Sequence, residues 1–479
     1  KLVSGAFIED ISDHLPIFSL CPFMHEKNPE QTETLFYRNI NDETLNTFGF
    51  LLEETNWGEV FTEKNPCSAF NIFHRKYKAA YDATFPLKQS KQKSKKIRKP
   101  WVTACLVKKI NKKNKIYHTF LRSRDLNVLR EFKKMRNKVN SDLKAAKRHY
   151  YQNKFMSVHD DQRKVWEVFN TVANLKEQKN AVKEILINGN EVTGVELVNE
   201  MNKHFINIGK NMVSEGNTNA DVMTITKITN SIMFFPTTMY EIETLIDKIK
   251  KDVAAGDDEL KAQPLKYVAR IISPILSYLA NSMLESGIFP TDLKLAKVTP
   301  IYKSGSKKSI ENYRPISVLT IFYKIFEGVI KSRLESFFTK HSVISTAQYG
   351  FQKEKSTEQA LLDIKEKLVA NIEDKLITLG LFLDLRKAFD TVRHPILLRK
   401  LEHYGIRGVA LELLKSYLTN RQQYVKIDNL ESNKETTRHG VPQGSILGPL
   451  LFLVFINDIV SISGSPELIM YADDTNIFF

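Results

Sequence analysis

A run of apolar residues ends on an acid, and 89 residues later a second apolar stretch is broken by two more. Leu379 to Leu383, with Gly380 inside it, has the continuity of a strand buried on both faces, and Asp384 follows directly. Further on, Leu468, Ile469 and Met470 lead into Tyr471-Ala472-Asp473-Asp474, and Ile477, Phe478 and Phe479 follow, the pattern of a hairpin with two acids at its turn. A carboxylate at the end of a buried strand is placed to hold a cation. For Asp384 and Asp473 to share one, their strands must be neighbours in a single sheet. No other feature narrows the choice of fold as far.

The chemistry that asks for such an arrangement is nucleotidyl transfer. It uses two Mg2+ ions roughly 3.5 to 4 Å apart, one lowering the pKa of an attacking hydroxyl and one neutralising the leaving pyrophosphate. Magnesium takes hard oxygen ligands and keeps places for substrate phosphates, so two or three carboxylates on rigid strands suffice. A palm-type polymerase sheet meets the requirement. Either acid site alone reads more simply as a solvated turn or a helix cap.

Five segments taken together carry a family resemblance. NYRPISVL (312–319), QYGFQKEKSTEQAL (348–361), FLDLRKAFDTV (382–392), HGVPQGSILGPLLF (439–452) and YADD (471–474), in that order, resemble the reverse transcriptase of non-long-terminal-repeat retrotransposons, of the jockey and CR1 kind. The resemblance covers about the last half of the chain. It implies an α/β (α+β) fold, a right-hand polymerase palm and fingers, with Asp384, Asp473 and Asp474 as catalytic metal ligands for two Mg2+ ions, Mn2+ being a substitute. It further implies that Lys303 and Arg314 meet the incoming triphosphate, and that Phe389 lies under the sugar, where a 2′-hydroxyl would collide with it. A surface Arg314 held by Glu311 is the competing reading. In GVPQGSILGP, Gly440, Gly444 and Gly448 let backbone approach a substrate, and Gln443 can hydrogen-bond at the nascent base pair. Gln348, with Gly350 and Phe351, is expected to pack fingers on palm and guide the template. Ser445 lacks the G-x-S-x-G setting of a hydrolase nucleophile.

Charge points to a polyanionic partner. The formal charge is +15, and fourteen Lys or Arg with no acid fall between Ala83 and Arg124. Lys93, Lys95, Lys96, Arg98 and Lys99 form the densest part, read as a salt-dependent grip on nucleic-acid phosphates and a nuclear localisation signal. The expected partners are an RNA template, a DNA primer or target DNA, and deoxynucleoside triphosphates, with no membrane. Three separated cysteines, Cys21, Cys67 and Cys105, suit a reducing compartment. The expected location is intracellular, a cytoplasmic ribonucleoprotein and the nucleus. Oligomeric state is not legible.

The 479 residues divide, on this reading, into four parts. Residues 1–25 contain Ser12 to Leu20, whose Asp13 and His14 resemble the closing motif of the apurinic-type endonuclease that precedes the polymerase in such elements; they are expected to be a catalytically dead remnant. Residues 26–230 are a helical, basic connector, in which Phe70, Phe73, Tyr77, Ala80 and Tyr81 make an amphipathic face and Ile185 to Gly194 a hairpin. Residues 231–283 are an amino-terminal extension opening on a helix after Thr238, and 284–479 are fingers and palm. The expected whole is a fragment: the upstream nuclease residues and a downstream thumb lie outside it. The expected activity is RNA-directed DNA synthesis primed from nicked target DNA. The alternative is a truncated, non-catalytic remnant that binds RNA.

Overall fold

A computed structural model describes residues 3–6, 17–20, 35–90, 99–159, 161–173, 182–187, 189–212, 227–461 and 467–479. Asp13, His14, Lys93, Lys95, Lys96 and Arg98 lie outside these residues. The chain forms two compact units, residues 1–38 with 87–178, and residues 39–86 with 179–479. The division differs from the expected one. Residues 39–86 do not belong to a connector but to the same core as the carboxy-terminal half, for a reason that lies in their aromatics.

The smaller unit is helical apart from two short strand pairs. Helices Ala104–Ser123 and Leu126–Met156 form a hairpin. Between them Arg124 takes a left-handed conformation, φ 54°, and the Asp125 side chain accepts from the Asn127 N–H at 2.8 Å, so one helix stops and the next is capped. Lys109 pairs with Asp142 across the hairpin at 2.6 Å. Lys99 and Lys147 stand 5.7 and 5.5 Å from the centre of the Trp101 ring. No helix among the described residues is long and apolar enough to cross a membrane.

In the larger unit the aromatic face read from the sequence becomes core. On helix Pro66–Thr84, Phe70, Phe73, Tyr77 and Tyr81 are buried. The first three set their rings 6.2, 5.1 and 5.2 Å from Phe322, edge-on, on helix Ile321–Lys340. Arg333 of that helix is fully buried. It grips Glu241 through both nitrogens and lies 4.3 Å from the Phe235 ring. Burial pushes the Glu241 carboxyl up, but hydrogen bonds from Arg333 and Thr237 outweigh it and hold the group below its usual value. Thr238 caps helix Met239–Lys248, as its position before Glu241 predicts. Residues 394–418 form two helices, His394–His403 and Val409–Leu418, because Gly405 and Gly408 turn the chain at φ 95° and 59°.

Besides the hairpin of Glu184–Ile187 with Asn190–Thr193, two larger sheets lie in this unit. In one, strand Arg421–Ile427 runs parallel to Leu295–Tyr302, which pairs antiparallel with Tyr313–Val318. The other has three strands in the order Glu467–Tyr471, Asp474–Phe478, Gly380–Leu383, all antiparallel. The neighbour relation required by the acids is therefore present. Burial of the first acid-bearing strand is not. Gly380–Leu383 is an edge strand, and Leu379, Leu381 and Phe382 are exposed. A continuous apolar run fixes an extended backbone, but what covers its faces depends on other elements, and here Leu381 and Phe382 stay exposed. Replacing Phe322 with alanine should destabilise the larger unit by about 3–5 kcal/mol in urea unfolding, since three rings lose their common partner; a cost under about 1 kcal/mol would mean that residues 39–86 are not part of this core.

Candidate active site

The hairpin of Glu467–Tyr471 and Asp474–Phe478 turns on two residues, Ala472 and Asp473, with Tyr471 opposite Asp474. Ala472 has φ 57°, a region that side chains with a Cβ enter at a cost and that short hairpins usually give to glycine. One buried side chain holds it there. Gln348, 2% exposed, accepts through Oε1 from the N–H groups of Ala472 at 2.9 Å and Gly350 at 2.8 Å. Its Nε2 donates to the Ala472 carbonyl at 3.3 Å. Gly350 is required by contact: a Cβ there would meet the Ala472 nitrogen at 2.2 Å. The backbone of 347–349 continues the sheet, Met470 donating to Ala347 O and Tyr349 to Met470 O, each at 2.8 Å. The sequence expects Gln348 to pack fingers on palm and to guide the template; its three hydrogen bonds inside the protein fix the turn.

The register pairs Thr475 with Leu383, so Asp384 emerges beside Asp474. Asp473 is half-buried, the other two acids exposed. The Asp473 carboxyl is raised above its usual value, by burial first, then by the like charges of Asp474 and Asp384, with Arg314 acting the other way. Among the described residues no three His, Cys, Asp or Glu side chains converge closely enough to hold a metal ion. The donor chemistry is right for a hard cation, and the repulsion that raises Asp473 is what a divalent ion would relieve.

Arg314 is exposed on strand Tyr313–Val318, opposite Ile301. Glu311 pairs not with it but with Arg386, at 3.2 Å. Lys303 stands exposed past the end of the same strand pair, where its N–H donates to Asn312 O at 2.8 Å. Lys387, not singled out by the sequence, donates to Tyr313 O at 3.3 Å. Burial lowers its pKa, against the pull of Asp390 and with the push of Arg386 and Arg314. Phe389 is half-buried. Its ring stacks 4.8 Å from Phe452 and meets Phe351 edge-on at 6.2 Å, so core packing on one face leaves part of the ring accessible.

The loop around Gln443 is tied down at both ends. Gln443 donates from Nε2 to Asp390 Oδ2 at 2.8 Å, and its carbonyl accepts from the Ser317 N–H at 2.8 Å. The Glu327 carboxylate, completely buried, accepts from the N–H groups of Ile446 and Leu447 at 2.8 and 3.3 Å and from the Tyr417 hydroxyl at 2.6 Å. A lone acid inside the apolar run Phe326-Glu327-Gly328-Val329 is the available sequence signal for such an anchor. At these glycines the loop comes close to the protein's own backbone. A Cβ on Gly444, at φ 122°, would meet Ser317 O at 2.5 Å, and one on Gly440 would meet the Asp390 backbone at 3.0 Å. Ser445 is buried and donates to Pro442 O at 2.8 Å.

Comparison with known proteins bears on these residues directly. Residues 305–479 match the family described as reverse transcriptase (RNA-dependent DNA polymerase). This segment is a reverse transcriptase domain. It contains every acid of the site, Arg314, Gln348, Phe389 and the Gln443 loop. The chain is 32% identical over 248 residues to the RNA-directed DNA polymerase from mobile element jockey of Drosophila melanogaster, covering 50% of this chain and 27% of that protein. It is 32% identical over 242 residues, 47% of this chain and 25% of the relative, to the probable RNA-directed DNA polymerase from transposon BS, and 31% identical over 244 residues, 50% and 27%, to that from transposon X-element, both of the same fly. The chain thus spans about a quarter of the length of these relatives. In the smaller unit, residues 102–165 match the family described as Female sterile protein K10 C-terminal domain.

Gln348→Ala should cost roughly 1–3 kcal/mol, because the Ala472 N–H and carbonyl are left buried without partners, and Ala472→Gly should recover part of it by removing the left-handed strain; thermal unfolding of the single and double variants measures both. Burial, against the Gln443 hydrogen bond and Lys387, pushes the Asp390 carboxyl up to about 6. The folded reverse transcriptase domain therefore favours protonated Asp390, and that stability, full below about pH 4, is lost as pH rises through 6. Asp390→Asn keeps an acceptor for Gln443 without the charge. Its unfolding midpoint should equal the parent's at pH 4 and exceed it above pH 6, by a few kcal/mol at most; a gap independent of pH would remove Asp390 from this role.

Proposed function

We propose that the reverse transcriptase domain of this chain is an RNA-directed DNA polymerase, built as a palm and fingers, that adds deoxynucleotides to a primer 3′-hydroxyl on an RNA template. The observation that carries the reading is the sheet register that brings Asp384, at the end of one strand, beside Asp473 and Asp474 at the turn of the neighbouring hairpin. Asp384, Asp473 and Asp474 would hold divalent ions, Mg2+ by their hard oxygen donors. When bound, these ions lower the pKa of the attacking hydroxyl and neutralise the leaving pyrophosphate.

The chain's own residues supply position and charge. Arg314 offers a planar, permanently charged group to a triphosphate whose negative charge grows as the bond to the leaving group breaks. Lys303 would meet the same triphosphate from the end of the strand pair. Phe389, held against Phe452, limits the space under the sugar, which favours a deoxyribose. Gln443, oriented by Asp390, would face the new base pair. Priming from nicked target DNA agrees with the mobile-element origin of the relatives named above.

Extension of a DNA primer on a homopolymer RNA template with Mg2+ tests the proposal at low salt. The parent chain should extend, and the Asp473→Ala, Asp474→Ala variant should lose roughly a thousandfold or more. If neither extends while both bind RNA in a salt-sensitive way, the non-catalytic RNA-binding reading takes its place.

A further inference from the structure

A groove of about 1030 Å3 lies between helices Met239–Lys248 and Ile321–Lys340 and reaches the segment 351–353. Six lysines line it: Lys248, Lys250, Lys324, Lys331, Lys340 and Lys353. Its carboxylates are already committed. Glu241 is taken by the buried Arg333, and Glu335 is shared by Lys331 and Lys353 at 3.5 and 3.8 Å. Among the described residues no carboxylate comes within ion-pairing distance of Lys248, Lys250, Lys324 or Lys340. The groove therefore carries a surplus of positive charge facing a space large enough for a polyanion. Burial lowers the pKa of Lys324, so an anion beside it would stabilise its charged form.

Where the groove leads narrows the choice of anion. Phe351 lines it and touches Phe389, the residue assigned to the incoming sugar. Ile446 lines it too, three residues beyond Gln443 on the loop anchored by Glu327. One end thus opens beside the site where a new base pair would form. Flexible lysines contact phosphates as point charges and read no sequence, and the exposed Phe351 ring offers a face on which an unpaired base can stack.

We propose that this groove holds the phosphodiester backbone of the unpaired template strand immediately before it is copied. The proposal rests on the polymerase reading of the neighbouring acids and adds the path of one substrate to it.

Binding of a fluorescent primer–template with a single-stranded RNA overhang, followed by anisotropy across a salt titration, tests it on the full chain. The variants are Lys248→Gln, Lys250→Gln, Lys340→Gln together, and, as a control for general charge loss, Lys64→Gln, Lys261→Gln, Lys434→Gln, exposed and outside both the groove and the basic segment. All three groove positions are exposed, and melting curves verify folding. The slope of log affinity against log salt should fall by about 2 in the groove variant, at about 0.7 for each single-strand phosphate no longer neutralised, and a blunt RNA–DNA hybrid should show no such fall. An unchanged slope on the overhang, or an equal fall on the blunt hybrid, overturns the groove assignment whether or not the parent extends a primer. A fall confined to the overhang supports the groove as a single-strand channel. Whether that strand is copied is read separately, from extension by the parent and its loss in Asp473→Ala, Asp474→Ala, so the two readings fail independently.

Discussion

Much of this site depends on an alanine held in a conformation alanine disfavours. At φ 57° Ala472 aims Asp473 and Asp474 from a two-residue turn, and the strain is offset by Gln348, which takes both the N–H and the carbonyl of that one residue. Because Gln348 is buried and Gly350 leaves no room for movement, the turn is tied to the segment that precedes helix Thr357–Glu373. A tight turn set this way keeps two like charges close, which unaided electrostatics would oppose. Burial first, and these like charges after it, raise the Asp473 carboxyl.

The second half of the site follows the same principle of buried polar anchors. Glu327 gathers two backbone N–H groups and a tyrosine hydroxyl, and Asp390 takes the Gln443 amide. Both carboxyls are raised by burial, a cost that their hydrogen bonds and a neighbouring cation, Arg421 for Glu327 and Lys387 for Asp390, offset in part. Rigid placement of the loop is what results. The same helix, Ile321–Lys340, carries Glu327 towards the loop, Phe322 into the aromatic core, Arg333 to Glu241 and Lys324, Lys331 and Lys340 to the basic groove. Packing, site and charged surface meet on one element.

The strand-end acids and the neighbouring-strand requirement were legible because chemistry imposes them on residue types and order. The identity of what surrounds them was not. Leu379 to Leu383 has the pattern of a buried strand and lies at an exposed edge, since hydrophobic continuity reports local conformation and not the elements that cover it. Gln348 and the glycines of the Gln443 loop have the residue types expected at a substrate, yet each makes its close approach to the protein's own backbone. The amphipathic face of Pro66–Thr84 was evident, but its partner Phe322 is some 250 residues away in sequence, and periodicity names a face without naming what it meets.

The sequence by itself determined which carboxylates stand at strand ends, that a hairpin carries two of them, that charge is concentrated in a basic segment, and which family the carboxy-terminal part of the chain resembles. These follow from local patterns: alternation, turn chemistry and residue order. Tertiary structure alone decided that residues 39–86 share the core of the reverse transcriptase domain, that Glu327 and Gln348 are internal anchors, and that six scattered lysines form one groove. Contacts between distant segments are set by close packing and by the need to satisfy every buried polar group, and neither constraint leaves a periodic trace along the chain.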